Sequence, residues 1–225
     1  MTDKKRQVKD LLYEQVSRIG KAVSSPKRLE LLELLAQGEK TVEVLAKELS
    51  IEVKLTSAHL KALKAARLVD YRRDGKYMVY RLSGDDVSRL WVSLREVAEE
   101  HLVELQLAVQ DMVTVPDQLV QASRKELLAQ AKRGEVIVLD VRPEEEYAVA
   151  HLPFARSMPV AEIARRLAEL PKGTEIVAYC RGPFCLFSEE AQQLLTRKGY
   201  RVRKLLDGVA EWSAAGMPLE HAGGT

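Results

Sequence analysis

Apolar residues in the first part of the chain recur at helical spacing and are separated by short turn signals. The spacing predicts helices over about residues 8–19, 27–38, 42–49 and 53–66. Pro26 suits a first helical position, Gly38 ends the second helix, and Thr41 can cap the third. Residues 68–83 then alternate apolar and polar around Asp74-Gly75, which predicts a β-hairpin.

A longer helical pattern begins at Gly84-Asp85 and continues to about residue 114. Its apolar positions step by three or four residues, and a helix of this length would measure roughly 45 Å. Because a small domain cannot cover such a stripe, we expect part of it to pack on a second copy of the chain. Packing within one chain is the alternative. Val115-Pro116-Asp117 ends the pattern, so we expect one domain over 1–115 and a second over 116–225.

Strands alternate with helices in the second part of the chain. The continuous apolar runs EVIVLDVR (135–142) and TEIVAYC (174–180) are typical of strands that are buried in a parallel sheet. Helical patterns occupy 123–134, 159–170, 188–199 and 210–216, and a further strand is predicted over 201–206. This alternation predicts an α/β fold with a parallel sheet.

Composition narrows the class of protein. Apolar residues make up 46% and charged residues 30%, which is ordinary for a globular domain. No apolar run approaches the roughly 20 residues that a membrane helix needs, and the N-terminus lacks a secretory signal pattern. Cys180 and Cys185 are the only cysteines. An extracellular disulfide scaffold would spread its cysteines, so we expect a cytoplasmic protein with no membrane contact and with reactive cysteine chemistry.

Basic residues concentrate in one segment of a chain whose net charge is only +2. Residues 53–81 carry eight basic and two acidic side chains, whereas 85–111 carry seven acidic side chains and two arginines. A local basic block in a near-neutral chain indicates a surface that binds a polyanion, with a solvated charged face as the alternative.

The basic segment coincides with the last of the short helices and the hairpin. Two short helices, a tight turn and a basic hairpin form a winged helix-turn-helix pattern, in which a helix enters the major groove of double-stranded DNA and the hairpin follows the backbone. We expect Leu55, Leu60 and Leu63 to face inward. The polar face of the helix comprises Lys54, Thr56, Ser57, His59 and Lys61, of which the first four are predicted nearest the bases. The predicted phosphate or minor-groove contacts of the wing are Arg72, Arg73 and Lys76, with Tyr77 beside them.

Two stretches of this half resemble the ArsR-type winged-helix repressors. SPKRLELLELL (25–35) and TSAHLKALKAARLVDYRRDGKYMVYRLS (56–83) contain the Ser-x-His-Leu-x-x-Leu core of the recognition helix and the Arg-x-Gly-x-x-x-x-Tyr wing of that family. The resemblance covers about residues 8–105. It implies binding to operator DNA as a homodimer through the first and last helices of the domain.

The metal sites of that family are not matched. Metal-sensing members carry a cysteine pair on the third helix or Asp/His clusters on the last, whereas the third helix here has no cysteine. His101 stands some four turns from Asp85 and Asp86, which is too far to complete a coordination sphere. We therefore expect no metal and interpret His101 as an interface residue.

The second half resembles the rhodaneses over about residues 119–221. VIVLDVRPEEEYAVAHLPFARSMPV (136–160) matches the first signature of that family and GYRVRKLLDGVAEWSAAGMPLE (199–220) the last, with Cys180 at the end of a strand between them. The resemblance implies that Cys180 attacks a sulfane sulfur donor, holds the sulfur as a persulfide and passes it to a thiol acceptor. Loop N–H groups and the start of the next helix would lower the pKa of its thiol.

The other residues of these signatures receive smaller roles. Arg181 is expected to add positive charge beside Cys180, in a loop that continues through Gly182, Pro183 and Phe184. Supporting roles in the geometry of the strand and loop are expected for Asp140, Arg142, Glu146 and His151. Gly208 and Trp212 are interpreted as packing residues.

The loop departs from the usual rhodanese pattern at two positions. Pro183 stands where a glycine is common and has no N–H to offer an anion, and Cys185 replaces a basic or hydroxyl residue, so we do not expect efficient thiosulfate turnover. Cys185 can instead resolve the state of Cys180 by closing a disulfide or a polysulfide bridge. The alternative is that Cys185 is a small apolar residue that begins the next helix.

The sequence thus predicts two domains, a mainly-α winged helix-turn-helix and an α/β rhodanese-like parallel sheet, with no cofactor. The favoured hypothesis is a repressor whose DNA affinity depends on the sulfur state of Cys180. The alternative is an active sulfurtransferase, from a persulfide or polysulfide to a thiol acceptor, whose winged helix serves autoregulation. A third hypothesis is a DNA-binding protein with a vestigial C-terminal domain.

Overall fold

The computed structural model describes residues 3–112, 119–120 and 122–222 and divides into two compact units, Met1–Trp91 and Val92–Thr225. Within these described ranges no helix is long and apolar enough to cross a membrane. The predicted linker Val115-Pro116-Asp117 lies outside the described residues, and the domain boundary that it defines stays a prediction.

The first unit is a helical domain with a small antiparallel sheet. Its elements are α1 (Asp3–Val23), α2 (Pro26–Leu35), β1 (Lys40–Thr41), α3 (Val42–Glu48), α4 (Val53–Ala65), β2 (Val69–Asp74), β3 (Tyr77–Leu82) and the start of α5 (Asp85–His101). The strand order is β1-β3-β2. The short helices and the hairpin were all predicted, so the winged helix-turn-helix interpretation is confirmed.

Local signals explain where these elements begin and turn. Pro26 opens α2, and the Thr41 hydroxyl caps α3 by accepting a hydrogen bond from the Val44 N–H at 3.3 Å. Asp74 pairs with Tyr77 across a tight turn, in which Gly75 adopts a φ of +57° that favours glycine.

The segment after the hairpin differs from the single helix that was predicted over residues 85–114. α5 ends at His101, and α6 covers Val103–Met112. The side-chain amide of Gln106 donates to the backbone carbonyls of Glu99, at 2.7 Å, and Glu100, at 3.1 Å. These carbonyls lie in the last turn of α5, where the intrahelical acceptors lose their partners. The spacing of apolar residues is the same for one helix or two, so it could not reveal the break.

The second unit contains a four-stranded parallel sheet. After α6 its elements are α7 (Arg124–Arg133), β4 (Val136–Asp140), α8 (Glu144–Val149), β5 (Arg156–Ser157), α9 (Val160–Arg166), a 3₁₀ turn (Leu167–Glu169), β6 (Glu175–Tyr179), α10 (Phe187–Arg197), β7 (Val202–Lys204) and α11 (Val209–Ala214). The strand order is β5-β4-β6-β7. This confirms the predicted α/β domain, to which α8 and the short β5 are additions.

Both faces of the sheet are covered, which explains the continuous apolar runs. Along β6, Ile176 and Ala178 join one hydrophobic cluster, whereas Val177 and Tyr179 join the other. The alternation continues past the strand and puts Cys180 in the cluster of Ile176 and Ala178, which also contains apolar residues of α10. Cys180 thus leaves the sheet at its carboxyl edge, on the face that α10 covers.

Candidate active site and nucleic-acid interface

Cys180 directly follows β6, and its sulfur is enclosed by the loop and by α10. Its Sγ lies 3.3 Å from Ser188 Oγ, 3.5 Å from the carbonyl oxygen of Cys185 and 3.8 Å from that of Gly182. Ser188 is in the first turn of α10, at the end of the helix where the macrodipole favours negative charge. The residue is 1% exposed, so the predicted nucleophile is closed off from solvent in this conformation.

Hydrogen bonds reverse the effect of burial on this thiol. Burial by itself raises the pKa of Cys180, but hydrogen bonds from the Cys185 thiol, the Ser188 hydroxyl and the backbone N–H groups of Ser188 and Gly182 outweigh it. Together they lower the pKa from 9.0 to about 7. The hydrogen bond to Cys180, together with burial, raises the pKa of Cys185. Cys185 therefore keeps its proton and donates it towards the Cys180 thiolate.

The Arg181 guanidinium forms a buried ion pair with Glu146. Arg181 Nη2 lies 2.6 Å from Glu146 Oε1, and its Nε lies 3.0 Å from Oε2. The guanidinium also stands over the Phe187 ring at 5.4 Å. We expected Arg181 to supply positive charge beside Cys180, and the structure corrects this: the ion pair with Glu146 neutralises that charge and ties the loop to α8.

Asp140, Arg142 and Tyr179 form a buried network where β4 and β6 end side by side. Arg142 Nη2 lies 2.6 Å from Asp140 Oδ2, and the Tyr179 hydroxyl donates to the same oxygen at 2.5 Å. Arg142 also donates to the carbonyl of Ala150 at 2.7 Å. The ring of His151 stacks on Tyr147 at 3.8 Å. These contacts join strand ends to loops, which is the geometry of a supporting role.

The backbone of the Cys180 loop approaches Gly208 very closely. A Cβ added at Gly208 would lie 2.3 Å from the carbonyl oxygen of Arg181 and 2.7 Å from that of Cys180. Gly182 has a φ of +155°, and a Cβ there would lie 3.1 Å from a carboxylate oxygen of Glu211. Glu211 in turn accepts from the Gly208 N–H at 2.8 Å. Gly208 is therefore a packing residue, as expected, and what it packs against is the loop of Cys180.

Sequence reasoning missed three side chains around this loop: Ser188, Glu211 and Arg95. Glu211 stands three residues after Gly208, the spacing of a capping box, so its position at the start of α11 had a signal. Arg95 had none, because its ion pair with Glu211 joins residues that are 116 positions apart.

The candidate nucleic-acid interface lies on α4 and the wing. Most of the predicted residues are open to solvent. The exposed ones are Lys54, Lys61, Arg72, Arg73, Lys76 and Tyr77, whereas Ser57 and His59 are half-buried.

Thr56 is fully buried and its hydroxyl donates to the Glu52 carbonyl at 3.1 Å, so its prediction as a base-contacting residue is wrong. Leu55, which we expected inside, is exposed. The buried face runs through Thr56, Leu60 and Leu63 at helical spacing, and Leu55 falls beside it.

The wing cations have partners of their own. Arg72 pairs with Glu39 at 2.9 Å and with Asp74 at 3.0 Å, and Arg73 Nε donates to the Gly75 carbonyl at 3.0 Å. Lys76 stands over the ring of Tyr77 at 5.1 Å. Exposed ion pairs contribute little to stability, so these side chains are able to exchange their partners for phosphates.

Comparisons with known proteins match both halves of the chain. The model of the bacterial regulatory proteins of the arsR family matches residues 25–71, and that of the rhodanese-like domain matches residues 123–215. An HTH-type transcriptional regulator of Mycobacterium tuberculosis, Rv0324, is 43% identical over 95% of this chain and 93% of its own length. The chain belongs to the ArsR-family transcriptional regulators and carries a C-terminal rhodanese-like domain.

Two further proteins each match one half of the chain. A sulfurtransferase of Allochromatium vinosum is 33% identical over 40% of this chain and 82% of its own length. The solution structure of the homodimeric winged helix-turn-helix DNA-binding domain of Mb0332 from Mycobacterium bovis is 42% identical. That match covers 46% of this chain and 93% of the other, with a TM-score of 0.41.

The lowered pKa of Cys180 predicts a thiol that reacts near neutral pH. The rate of its alkylation by iodoacetamide should rise with pH through a midpoint of about 7 and reach a plateau above it, because only the thiolate reacts. The rate is followed for each cysteine by peptide mass spectrometry. Ser188→Ala removes one hydrogen bond and should move the midpoint upward. A wild-type midpoint close to 9.0 would contradict the hydrogen bonds around the Cys180 sulfur.

The close approach at Gly208 predicts that no side chain is tolerated there. Gly208→Ala should destabilise the second unit by about 1–3 kcal/mol, because the added methyl group overlaps the Arg181 carbonyl. Urea unfolding followed by tryptophan fluorescence measures the effect. Gly20→Ala is the matched control, because a Cβ at Gly20 meets nothing within 4 Å. Equal unfolding midpoints for Gly208→Ala and the wild type would be inconsistent with this packing.

Proposed function

We propose that this regulator binds double-stranded operator DNA as a homodimer and that its DNA affinity is set by the sulfur state of Cys180. The observation that carries the proposal is the buried Cys180 sulfur, which lies 3.3 Å from Ser188 Oγ at the start of α10 and 3.5 Å from the carbonyl oxygen of Cys185. In these surroundings the pKa of the thiol is lowered to about 7. A structural cysteine has no need of such an environment, whereas a thiolate nucleophile depends on it.

The proposed sensing step is attack on a sulfane sulfur donor. The Cys180 thiolate attacks the outer sulfur of an organic persulfide R–S–SH. A new S–S bond forms, the donor's S–S bond breaks, and R–S⁻ leaves with the electron pair. Cys180 then carries –S–SH. No further oxidant is required, because the transferred sulfur has the same oxidation level in the donor persulfide and in the Cys180 persulfide.

Cys185 supplies the second step as a resolving thiol. It is half-buried and keeps its proton while Cys180 is a thiolate, so Cys180 reacts first. After the first step Cys185 attacks the Cys180 sulfur, and hydrogen sulfide leaves with the electron pair and the Cys185 proton. The product is a Cys180–Cys185 disulfide. A longer polysulfide bridge would need additional donor sulfur.

The DNA contacts are assigned to the exposed basic residues of α4 and the wing. A homodimer is proposed because α1 exposes a row of apolar side chains, and because α5 and α6 expose another. The exposed residues are Val8, Leu11, Leu12, Tyr13 and Val16 on α1, Leu94 and Val97 on α5, and Val103 and Leu107 on α6. Large exposed apolar patches of this kind indicate interfaces. His101, exposed at the end of α5, stays a predicted interface residue. The proposed compartment is the cytoplasm.

A second candidate function is sulfur transfer from a persulfide or polysulfide to a thiol acceptor. The similarity of the second half to the sulfurtransferase of Allochromatium vinosum favours it. The same Cys180 persulfide would serve both functions, and the acceptor thiol would attack its outer sulfur. Turnover that leaves operator affinity unchanged would favour transfer over sensing.

The test of sensing is operator binding before and after exposure to glutathione persulfide. Wild-type affinity should change by about tenfold, within the usual range of allosteric coupling. Cys180→Ser should abolish the change, because the attacking thiolate is lost. Cys185→Ser should retain the added sulfur but lose the disulfide. Fluorescence anisotropy measures affinity. Intact-protein mass spectrometry distinguishes the Cys180 persulfide, which gains a sulfur atom, from the Cys180–Cys185 disulfide, which loses two hydrogens. Identical affinities for treated and untreated wild type, with the Cys180 persulfide or the disulfide present in the treated protein, would refute sensing.

Binding to phosphates predicts a salt-dependent loss of affinity. Lys54→Ala and Lys61→Ala should each weaken operator binding and reduce its salt dependence, by about one unit of slope for each phosphate contact that is lost. Lys125→Ala is the control, because Lys125 is an exposed lysine of α7 in the second unit. If all three variants bind with the same salt slope as the wild type, α4 is not the DNA-binding helix.

A further inference from the structure

Helix α5 contributes one buried arginine to the surroundings of the Cys180 loop. Arg95 belongs to the second unit, which begins at Val92, and its side chain is 4% exposed. Its Nη2 lies 3.1 Å from Glu211 Oε1, and its Nη1 lies 2.7 Å from Glu99 Oε1. A buried arginine between two carboxylates has a fixed position, unlike an arginine at the surface.

Arg95 reaches the loop by two routes. One is direct, since its guanidinium stands over the Phe184 ring at 5.9 Å. The other passes through Glu211, whose carboxylate lies so close to Gly182 that a Cβ there would come within 3.1 Å. Gly182 and Phe184 flank the buried Pro183, so Arg95 acts on the loop from both sides of its proline.

The closed loop sets a steric problem for the proposed chemistry. Ser188, Cys185 and Gly182 surround the Cys180 sulfur at 3.3 to 3.8 Å. A donor therefore reaches this sulfur only when the loop moves. Movement of Gly182 changes a close approach to Glu211, the partner of Arg95, and movement of Phe184 breaks its contact with the Arg95 guanidinium.

We propose that Arg95 is a positioning residue that, through Glu211 and Phe184, holds the loop of residues 181–185 closed over Cys180 and so controls the access of sulfur donors. The proposal rests on the proposed function and adds a regulatory element to the same site. Arg95, Glu211 and Phe184 all belong to the second unit, so the contacts that hold the loop closed lie within that unit.

The test is the alkylation of Cys180 by iodoacetamide in the full-length protein as a function of pH. Arg95→Ala should raise the plateau rate about tenfold, because the loop opens more often. The midpoint should stay near the wild-type value, because the hydrogen bonds that set it come from the loop and α10. The plateau rate of Arg95→Lys should lie between those of the wild type and Arg95→Ala, because lysine retains the charge but not the planar guanidinium.

A pair of variants tests whether Arg95 acts through Glu211. Glu211→Gln should also raise the plateau, and the double variant should exceed the single variants by less than the product of their effects. Arg203→Ala is the matched control. It removes a 2.6 Å pair with Glu175, the first residue of β6, at the opposite end of the strand from Cys180. Its plateau should equal that of the wild type.

Two results would overturn the proposal. One is a plateau for Arg95→Ala that matches that of Arg203→Ala. The other is a midpoint that moves to the ordinary cysteine value of 9.0, which would show that the loop has lost its structure rather than opened. If Arg95→Ala does not fold, unchanged plateaus in both Arg95→Lys and Glu211→Gln would refute it equally. Alkylation requires neither sulfur donor nor DNA, so this result is independent of the operator-binding test.

Discussion

The sulfur of Cys180 is withdrawn from water, and burial by itself opposes the negative charge that a nucleophilic sulfur needs. The structure resolves this conflict with hydrogen bonds from a second thiol, a hydroxyl and two backbone N–H groups. Such donors must hold their positions, because a small displacement removes the bond while the cost of burial remains. Several elements of the second unit therefore act together to fix a short loop whose own residues form no regular structure.

The means of fixing that loop come from distant parts of the chain. Glu146 on α8 holds Arg181, Gly208 admits the loop backbone to close contact, and Glu211 on α11 lies against Gly182. The parallel sheet brings these elements together at one edge, because the strands that precede them end side by side. Buried carboxylates recur in these contacts. The pKa of Glu211 is raised by burial, and the charge of the nearby Arg95 offsets only part of that rise. The loop thus depends on charge pairs that solvent does not screen.

Much of this architecture could be predicted from the sequence, because local patterns determine where the helices, strands and turns form. The helices of the first unit, the hairpin at Asp74-Gly75 and the buried strands follow from spacing and turn residues, and two family resemblances ordered them into domains. The errors arose where a pattern admits more than one geometry. Leu55 and Thr56 are neighbours on a helix, and a small error in helical phase exchanged their environments. Arg181 pairs with Glu146, and no spacing rule links these two residues in the sequence. Arg95 and Glu211 meet only through the tertiary fold.

Both cysteines of the chain lie within the same six residues. A protein with thiols in several places can be oxidised at any of them and can exchange disulfides between sites. In this chain every reaction of a thiol takes place in one loop. Any reagent specific for thiols therefore reports on that loop alone, and the DNA-binding half stays silent to it. A fluorophore or spin label attached through sulfur is thus confined to the loop of the native chain, and replacing one of the two cysteines is enough to leave a single labelled site.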